Sequence, residues 1–523
     1  MTERLSTPTP IAPEDAIAAE TAPLEGRMDL SARGLREHAA RGVVINALFQ
    51  IGSAGLGLLQ RFAVAAFLTV SEFGLWGIVL SILITLSWLK EIGISDKYIQ
   101  QDEADQELAF QKAFTLELAY TSIFSLLVLL SLPIFGLIYD NSEIVLPAAV
   151  LSLCLLGGAL QAPIWVFFRQ MRFVRQRTLE AINPVVSTAV MIPLAVAGAG
   201  YWSIIAGILA GSFAAAIAAI AYSPYRLALR YDRGTLREYV RFSAPLLLSG
   251  LAGIVIVQGT WIVGNFTVGL AGLGALALAG SLITFAERVD QVISRSIYPA
   301  VAAVKDKRDV MFETFVKSNR LGLMFGLPFA FGMLLFAPDL VGFVLGERWA
   351  AAEALLQALG LVVGFRQIAF NWGVFVSAAG DTRPFAVSGL VLLAVFAGVT
   401  APAMILWGLD GFIVGAAASL TAELLVRGHY LRRLFAGFRM LRHIARAVLP
   451  VVPAILVVVV ARGLESGERV LSIALIEFTA YALVVLASTL FFERRLLREV
   501  AGYLKGARPA ADASRPSGEA FAG

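Results

Sequence analysis

Arginine and lysine residues divide the connections between the apolar segments of this chain into two kinds. From Arg41 onward, apolar segments long enough to cross a membrane follow one another. Every second connection is rich in Arg and Lys, and the connections between those have almost none. Loops rich in Lys and Arg stay on the cytoplasmic side of a membrane. The pattern therefore predicts a membrane protein and also its topology.

The composition agrees with an all-α polytopic membrane protein. Hydrophobic residues make up 58% of the 523 residues and charged residues only 15%, whereas soluble domains carry about 25% charged residues. A helix needs about 20 apolar residues to cross a bilayer, and by this measure the chain has about fourteen spans. Their approximate bounds are 42–69, 73–95, 113–138, 144–168, 179–199, 201–222, 240–267, 271–298, 318–345, 351–378, 385–406, 409–431, 443–461 and 470–492.

The two sides of the predicted membrane differ sharply in basic residues. The less basic side holds only Arg348, Arg462 and Arg469. Both chain ends lie on the basic side, so we expect both termini to be cytoplasmic. Residues 1–40 are polar, and we expect them to be a disordered cytoplasmic tail, with no cleavable signal peptide before the first span. Residues 496–523 are expected to form a second cytoplasmic tail, which is disordered after Lys505.

Several functional classes do not fit this sequence. The single cysteine, Cys154, lies inside an apolar segment, so an intrachain disulfide framework and a thiolate metal cluster are excluded. The loops are short, which leaves no room for an inserted catalytic domain, and the phosphate-binding G-x-x-x-x-G-K-[ST] motif is absent. The basic residues flank apolar segments, so lipid headgroups and topology explain them better than nucleic acid does.

The sequence contains a weak internal repeat. A shift of 198 residues places the first span on the seventh and matches Gly74 with Gly272 and Lys90 with Arg288. Both spans start in the cytoplasm, so the repeat is parallel, with its axis along the membrane normal. We therefore predict two pseudo-symmetric six-helix lobes, at 41–225 and 226–435, followed by two further helices at 436–495.

Ionisable residues inside spans are the strongest candidates for function, because they are costly in hydrocarbon unless they face a cavity or a partner. Arg61, Lys90, Arg288 and Arg366 form a candidate binding set for an anionic group. For Lys90 and Arg288 the alternative is that they lie near the cytoplasmic end and extend to the interface, paired with neighbouring glutamates.

Acidic and amide side chains add two further groups of candidates. Glu287 and Asp290 share a helix face, and with Glu91 they are candidates for binding a coupling proton or Na⁺; a structural salt-bridge cluster is the alternative. No other cofactor is expected. The amides that are candidates for hydrogen bonds to sugar hydroxyls, with interhelical hydrogen bonding as the alternative, are Gln60, Gln258, Asn265 and Asn371. Glu423 and Glu477 are interpreted as peripheral contacts.

Five short motifs resemble those of the polysaccharide transporter (Wzx-like oligosaccharide flippase) family. They are EFGLWG at 72–77, EIGIS at 91–95, RQMRF at 169–173, GAGYWS at 198–203 and AGDTR at 379–383. The resemblance extends from about Arg41 to Phe492, and the one notable departure is Glu91, which stands where that family usually has Asp. The superfamily also contains drug/cation antiporters and lipid II flippases.

This resemblance implies a function for the candidate residues. A flippase of this family moves undecaprenyl-pyrophosphate-linked oligosaccharide across the bacterial inner membrane for surface polysaccharide synthesis. By this reading, Arg61 and Arg366 hold the pyrophosphate, and Lys90 and Arg288 draw it in from the cytoplasmic leaflet. Membrane lipids and the polysaccharide polymerase or export machinery are the expected partners. Two alternatives stay open: a lipid II flippase or multidrug/cation antiporter, and a membrane-embedded enzyme acting on lipid-linked sugars.

Overall fold

The computed structural model describes residues 49–50, 52–90, 94–101, 103–170, 172–235, 251–303, 307–379, 383–435, 440–465 and 467–498. Both predicted tails lie outside these ranges, apart from 496–498, and so does Glu91. For Arg288 only the backbone is described.

Every regular element in the described ranges is a helix. The α-helices of seven or more residues are α1 (52–65), α2 (Val70–Lys90), α3 (Ile94–Gln100), α4 (Gln106–Ile138), α5 (Val145–Leu160), α6 (Pro163–Arg169), α7 (Phe173–Val196), α8 (Trp202–Ala221), α9 (Leu251–Thr267), α10 (Gly269–Ala303), α11 (Arg308–Asp339), α12 (Ala350–Arg366), α13 (Trp372–Ala378), α14 (Arg383–Val395), α15 (Ala401–Leu434), α16 (Met440–Val448), α17 (Val452–Leu464) and α18 (Leu471–Phe492). Short π-helical turns continue α11 through Leu340–Leu345 and join α14 to α15 through Phe396–Thr400.

Ten helical segments of the described chain are long and apolar enough to cross a membrane, and two shorter apolar helices are present at Gly253–Thr267 and Val452–Leu464. The prediction of an all-helical polytopic membrane protein is therefore confirmed. The exposed surface agrees, because many large apolar side chains point outward, as a protein surrounded by lipid requires.

The longest helical segment, 383–434, is a hairpin. Gly408 has φ 60° and ψ −126°, which interrupts α15. A Cβ added at Gly411 would lie 1.9 Å from the carbonyl oxygen of Ala403, eight residues earlier. In a continuous helix those positions are about 12 Å apart, so the chain reverses direction at Gly408. Only glycine adopts this backbone conformation and also allows so close an approach.

The same set of helix contacts occurs twice along the chain. In the first half, α5 packs against α2, α4 and α8, and α7 packs against α8. In the second half, α12 packs against α10, α11 and α15, and α14 packs against α15. The two sets meet mainly where α2 lies against α10.

The packing of α2 on α10 corrects the register of the repeat. A Cβ at Gly74 would contact the carbonyl oxygen of Leu270, and a Cβ at Gly274 would contact that of Val70. Adding 200 to the residue numbers of Gly74 and Val70 gives Gly274 and Leu270, so each of these contacts is the counterpart of the other. The buried faces follow the same offset, for example Ser81 with Ser281. The sequence suggested a shift of 198 because it aligned the residues just before α2 and α10. The packing of the buried faces of these two helices gives an offset of 200.

In the structure, therefore, Lys90 corresponds to Asp290 rather than to Arg288. The charge match that supported the repeat in the sequence is lost. The repeat itself is retained in the helix contacts, which do not depend on any charged residue.

Buried hydrogen bonds join the two halves at one end, which we call the outer end because the topology predicts it to face outward. Trp349 is fully buried, and its indole nitrogen donates to the carbonyl oxygen of Ala65 at 3.0 Å. Asn265 Nδ2 donates to the carbonyl oxygen of Tyr139 at 2.7 Å. The ends of α1, α4, α9 and the start of α12 thus lie at the same level.

The C-terminal hairpin of α17 and α18 is attached to the second half by an ionic network at the outer end. Asp339, at the end of α11, contacts the guanidinium groups of Arg462 and Arg469. Arg469 also contacts Glu477 on α18 at 2.7 Å. Its hydrogen bonds to Asp339 raise the pKa of the Arg469 guanidinium. Two of the three basic residues predicted on the outer side are thus used to dock this hairpin.

Candidate functional site

Ionisable side chains of the second half gather at one level of the membrane. Counted from the outer ends of their helices at 1.5 Å per residue, Arg366, Glu287 and Glu423 lie about 24, 27 and 22 Å deep. Arg427 lies one turn beyond Glu423 on the same helix. Three separate helices, α10, α12 and α15, therefore bring their charges together; we call Glu287, Asp290, Arg366, Glu423 and Arg427 the arginine cluster.

Arg366 lies at the centre of the arginine cluster. Its Nη1 donates to Glu287 Oε1 at 3.1 Å, and its Nε lies 3.1 Å from Glu423 Oε2. The side chains of Arg366 and Glu287 are 32% and 49% exposed, whereas that of Glu423 is 12% exposed. The cluster therefore presents one accessible ion pair, Arg366–Glu287, supported from behind by a buried carboxylate.

Arg427 supports Arg366 through the backbone. Helix α12 ends at Arg366, and the residues before α13 form turns in which Ala369 has a left-handed φ of 57°. Arg427 Nη1 donates to the carbonyl oxygens of Arg366 at 2.7 Å and Ile368 at 3.1 Å, and its Nη2 donates to Glu423 at 2.6 Å. A broken helix inside a membrane needs such partners, because its free carbonyl groups have no water to bind.

Two further amides support the helix break. Asn319 on α11 donates to the carbonyl oxygen of Gln367 at 3.0 Å. Asn371 donates to Ser318 Oγ at 2.6 Å and lies 3.5 Å from Asn319 Nδ2. Asp290 lies one turn beyond Glu287 on α10, and its Oδ1 is buried. The break is thus fixed by side chains from two neighbouring helices, α11 and α15.

Lys90 belongs to a different site. Its Nζ lies 2.7 Å from Glu117 Oε1 on α4, and both side chains are largely buried. Thr121 also donates to Glu117, at 3.3 Å. Lys90 is therefore paired across helices with Glu117 in the first half of the molecule. The pairing with Glu91 suggested by the sequence falls on a residue outside the described ranges.

Arg61 lies far from Arg366 along the membrane normal. The predicted span ended at residue 69, but α1 ends at 65, so Arg61 lies only about 6 Å from the outer end of its helix. Arg366 lies about 24 Å from the same end. Arg61 is half-buried and has its own interactions. The structure does not bring these two arginines into one binding site.

The four candidate amides make interhelical hydrogen bonds. Gln258 accepts from Tyr139 Oη at 2.9 Å and donates to Thr85 at 2.6 Å. Gln60 Nε2 contacts Ser187 and Met191 on α7. Asn265 and Asn371 are bonded as described above. These contacts agree with the alternative interpretation, in which the amides form hydrogen bonds between neighbouring helices.

Sequence reasoning gave too little weight to Glu423 and overlooked Arg427. Glu423 was interpreted as peripheral, yet it bridges both arginines of the cluster. The available signal was a Glu and an Arg four residues apart within one apolar span, a spacing that places them on the same helix face. Such a pair is costly in a lipid-facing helix, which makes it informative.

The sequence profile of a family described as "Polysaccharide biosynthesis protein" matches residues 63–354, more than half of the chain. The chain belongs to this polysaccharide biosynthesis protein family. It is accordingly a multi-pass membrane transporter and not an enzyme, as predicted.

Two relatives of this polysaccharide biosynthesis protein indicate the breadth of the family. The lipopolysaccharide biosynthesis protein WzxC of Escherichia coli is 22% identical over 345 residues, which cover 64% of this chain and 68% of WzxC. The succinoglycan biosynthesis transport protein ExoT of Rhizobium meliloti is 22% identical over 331 residues, covering 62% of this chain and 66% of ExoT. The matches thus span about two thirds of each relative.

The fold has a counterpart among solved structures. The lipid II flippase MurJ, in an inward closed conformation, superposes with a TM-score of 0.67 at 14% identity, covering 87% of this chain and all of that chain. At this identity the likeness shows the fold alone. The fold assignment therefore agrees with the family assignment, and neither identifies the transported molecule.

Proposed function

We propose that this protein is a flippase that moves undecaprenyl-pyrophosphate-linked oligosaccharide repeat units across the bacterial inner membrane for exopolysaccharide or other surface polysaccharide synthesis. The observation that carries the proposal is Arg366. It is an arginine within a span, accessible on one side, and held there by Glu287 and Glu423. A phosphate can replace the exposed Glu287 carboxylate, because guanidinium groups bind both anions by the same paired hydrogen bonds.

The proposed architecture has fourteen spans, as the sequence predicted. The ten long segments become fourteen when 383–434 is divided at Gly408 and the shorter helices α1, α9 and α17 are included. The repeated helix contacts support two lobes, at 41–225 and 226–435, with 436–495 attached to the second lobe. Both termini would then be cytoplasmic, and α2 and α10 would form the boundary at which the lobes rock.

Arg366 and Arg61 would serve the substrate in succession. Arg366 lies about 24 Å from the outer end and Arg61 about 6 Å, so one pyrophosphate cannot contact both in this conformation. We infer that Arg366 takes the pyrophosphate from the cytoplasmic leaflet and that Arg61 meets it nearer the outer side. An inside-negative potential favours this direction by about 2.3 kcal/mol per charge for each 100 mV. Arg288 would contribute positive potential at the cytoplasmic entrance, whereas the charge of Lys90 is neutralised by Glu117.

The test is reconstitution of the purified chain into liposomes that contain undecaprenyl-pyrophosphate-linked oligosaccharide. Transport is measured as the fraction of oligosaccharide that becomes accessible to an enzyme outside. We expect Arg366→Ala and Arg61→Ala each to abolish transport while the protein is still made and inserted. Arg494→Gln, an exposed arginine beyond α18, is the matched control and should transport normally. Normal transport by both alanine variants would refute the proposal.

The same preparation separates the alternatives. A lipid II flippase would instead transport lipid II and complement a strain depleted of its own flippase. A multidrug antiporter would move a cationic dye and leave the lipid-linked sugar in place. A membrane enzyme would change the substrate chemically, whereas a flippase recovers it unaltered.

A further inference from the structure

The chain that follows α8 is hydrogen-bonded along the inner part of α4, and we call residues 226–233 the basic segment. Glu107 on α4 accepts a hydrogen bond from the Arg226 backbone N–H at 3.0 Å, and Gln111 donates to the Arg226 carbonyl oxygen at 3.0 Å. One turn further along α4, Thr115 accepts from the Arg230 backbone N–H at 2.7 Å. The basic segment therefore has a defined place on the first half of the molecule.

Apolar packing fixes the start of the basic segment on its inward side. Tyr225 and Leu227 pack against an apolar cluster that includes Phe110, and the rings of Tyr225 and Phe110 are 5.9 Å apart. Arg226 lies between these two side chains in the sequence and is exposed. The segment thus buries apolar groups against the protein and presents its arginine outward.

The face of α4 that carries Thr115 continues outward as a surface exposed to lipid. Exposed residues follow Thr115 along this face at helical spacing, and they are Ala119, Ser122, Leu126, Leu130 and Leu137. Thr115 itself lies about 35 Å from the outer end of α4, just beyond the roughly 30 Å of a hydrocarbon core. The basic segment therefore meets α4 at the level of the inner lipid headgroups, on the perimeter of the protein.

The exposed side chains of the basic segment combine positive charge with apolar and aromatic groups. They are Arg226, Leu229, Arg230, Tyr231 and Arg233. The exposed fraction is 68% for Leu229 and 69% for Tyr231. The acidic residue of the segment, Asp232, accepts hydrogen bonds from the backbone and the hydroxyl group of Thr235. Three arginines and one aspartate leave the segment with two net positive charges.

This combination fits the boundary between lipid headgroups and acyl chains. Arginine binds phosphate through paired, charge-assisted hydrogen bonds, and tyrosine is enriched at headgroup level because its ring is apolar and its hydroxyl polar. A soluble anion would account for the arginines and leave Leu229 and Tyr231 in water. A lipid surface accounts for both kinds of side chain, and the lipid-facing side of α4 lies directly beside them.

We infer that residues 226–233 bind the headgroups of anionic phospholipids in the cytoplasmic leaflet. The arginines contact the phosphate groups, and Leu229 and Tyr231 enter the layer between headgroups and acyl chains. The segment begins the connection from the first half to the second, so bound lipid holds this end of the connection at the membrane surface. The inference is independent of which molecule the protein transports.

The test places a fluorescent label at residue 229 of the full-length protein in nanodiscs. Cys154 is the single cysteine of the chain, so Cys154→Ala with Leu229→Cys gives one labelling site at an exposed position. Phosphatidylglycerol and phosphatidylcholine with the same brominated acyl chains are compared as quenchers, at equal fractions in unlabelled phosphatidylcholine. We expect phosphatidylglycerol to be enriched at the label by at least about fivefold, the preference that one arginine near the surface contributes.

Removal of the three arginines should abolish this preference. We expect Arg226→Gln with Arg230→Gln and Arg233→Gln to make quenching by the two lipids equal, and all three positions are exposed, so the fold should tolerate the changes. The matched control removes three exposed arginines elsewhere on the basic side and should keep the preference: Arg432→Gln, Arg433→Gln and Arg494→Gln.

Three other results would overturn the inference. Equal quenching by the two lipids when all arginines are present would mean that the segment does not select anionic headgroups. Absence of quenching by either lipid would place the segment away from the bilayer and favour an acidic protein as its partner. Loss of the preference on addition of millimolar glycerol 3-phosphate would indicate a site for soluble phosphate. Flipping in liposomes is measured separately, so none of these results decides the proposed function.

Discussion

Helices α2 and α10 occupy equivalent places in the two halves, yet they carry opposite chemistry at equivalent positions. Their buried faces match at an offset of 200 residues. At the inner part of α2, Lys90 pairs with one carboxylate, Glu117. At the same place on α10 stands Asp290, within a cluster of two arginines and two further carboxylates. The scaffold is nearly symmetric, whereas its charges are not.

The difference favours one half as the proposed site of anion binding. The Lys90–Glu117 pair is largely buried, and the two charges neutralise each other, so an incoming phosphate would gain little by binding there. The Arg366–Glu287 pair is accessible, and Glu287 can leave while Glu423 still balances Arg366. We therefore propose that the second half captures the substrate and that the pair in the first half is mainly structural.

The largest expected effect distinguishes these two roles. Arg366→Gln removes the guanidinium that is proposed to bind the anion, and truncating one partner of a hydrogen-bonded charge pair costs about 2–5 kcal/mol of binding, equivalent to a loss of about 30-fold or more in anion affinity. Polymer export by a strain that depends on this protein is the measurement. Lys90→Gln should reduce export far less once protein levels are matched. Equal losses would contradict the assignment.

Apolar replacement of each ion pair should sharpen the comparison. Lys90→Met alone leaves Glu117 buried and unpaired and should cost about 3–5 kcal/mol, while Lys90→Met with Glu117→Leu should be nearly neutral. Arg427→Met with Glu423→Leu should remain destabilising, because Arg427 also binds the carbonyl oxygens of Arg366 and Ile368. Thermal unfolding in detergent measures both. Equal stability of the two double variants would contradict the proposed difference between the two ion pairs.

At the contact between the halves, symmetric positions should behave alike. Gly74→Ala and Gly274→Ala each place a Cβ 1.9 Å from a carbonyl oxygen of the opposing helix. Overpacking of this kind costs about 1–3 kcal/mol, and we expect the two losses in thermal stability to be equal. Gly280→Ala, on the same helix as Gly274 with nothing within 4 Å of its Cβ, is the control. A large loss in only one of the pair would show that the contact is not symmetric.

The smallest expected effect concerns the C-terminal hairpin, which has no counterpart in the first half. Asp339→Asn weakens its contacts with Arg462 and Arg469, and we expect a loss of about 0.5–1.5 kcal/mol, the net contribution of a typical hydrogen bond. Arg469 still has Glu477 as a partner. Detachment of α17 and α18 should appear as faster proteolysis of the loop between them. Unchanged proteolysis would mean that apolar packing alone holds the hairpin.

Features that depend on local composition were predictable from the sequence. The apolar spans and the deep position of Arg366 follow from length and hydropathy, since lipid imposes a minimum span and penalises any charge within it. The depth of Arg61 was misjudged, because the sequence pattern placed the end of its helix at 69 and the structure places it at 65. A four-residue error moves a side chain by about 6 Å.

Features that depend on pairing between distant segments were not predictable. Hydropathy identifies a helix but does not say which helix lies beside it. The ion pairs of Glu423 with Arg366 and of Lys90 with Glu117 therefore had no signal in the sequence beyond the charges themselves. The offset of 200 between α2 and α10 is set by two glycines that meet opposing carbonyl oxygens. Matching residue types in two apolar helices do not reveal this offset.

The sequence by itself determined that this chain is a helical membrane protein, because the cost of exposing polar groups to lipid acts on each segment separately. Only the tertiary structure decided which charges share a site, because electrostatic pairing depends on distances between helices that are remote in the chain. It placed Arg366 among three carboxylates and left Arg61 about 18 Å nearer the outer end.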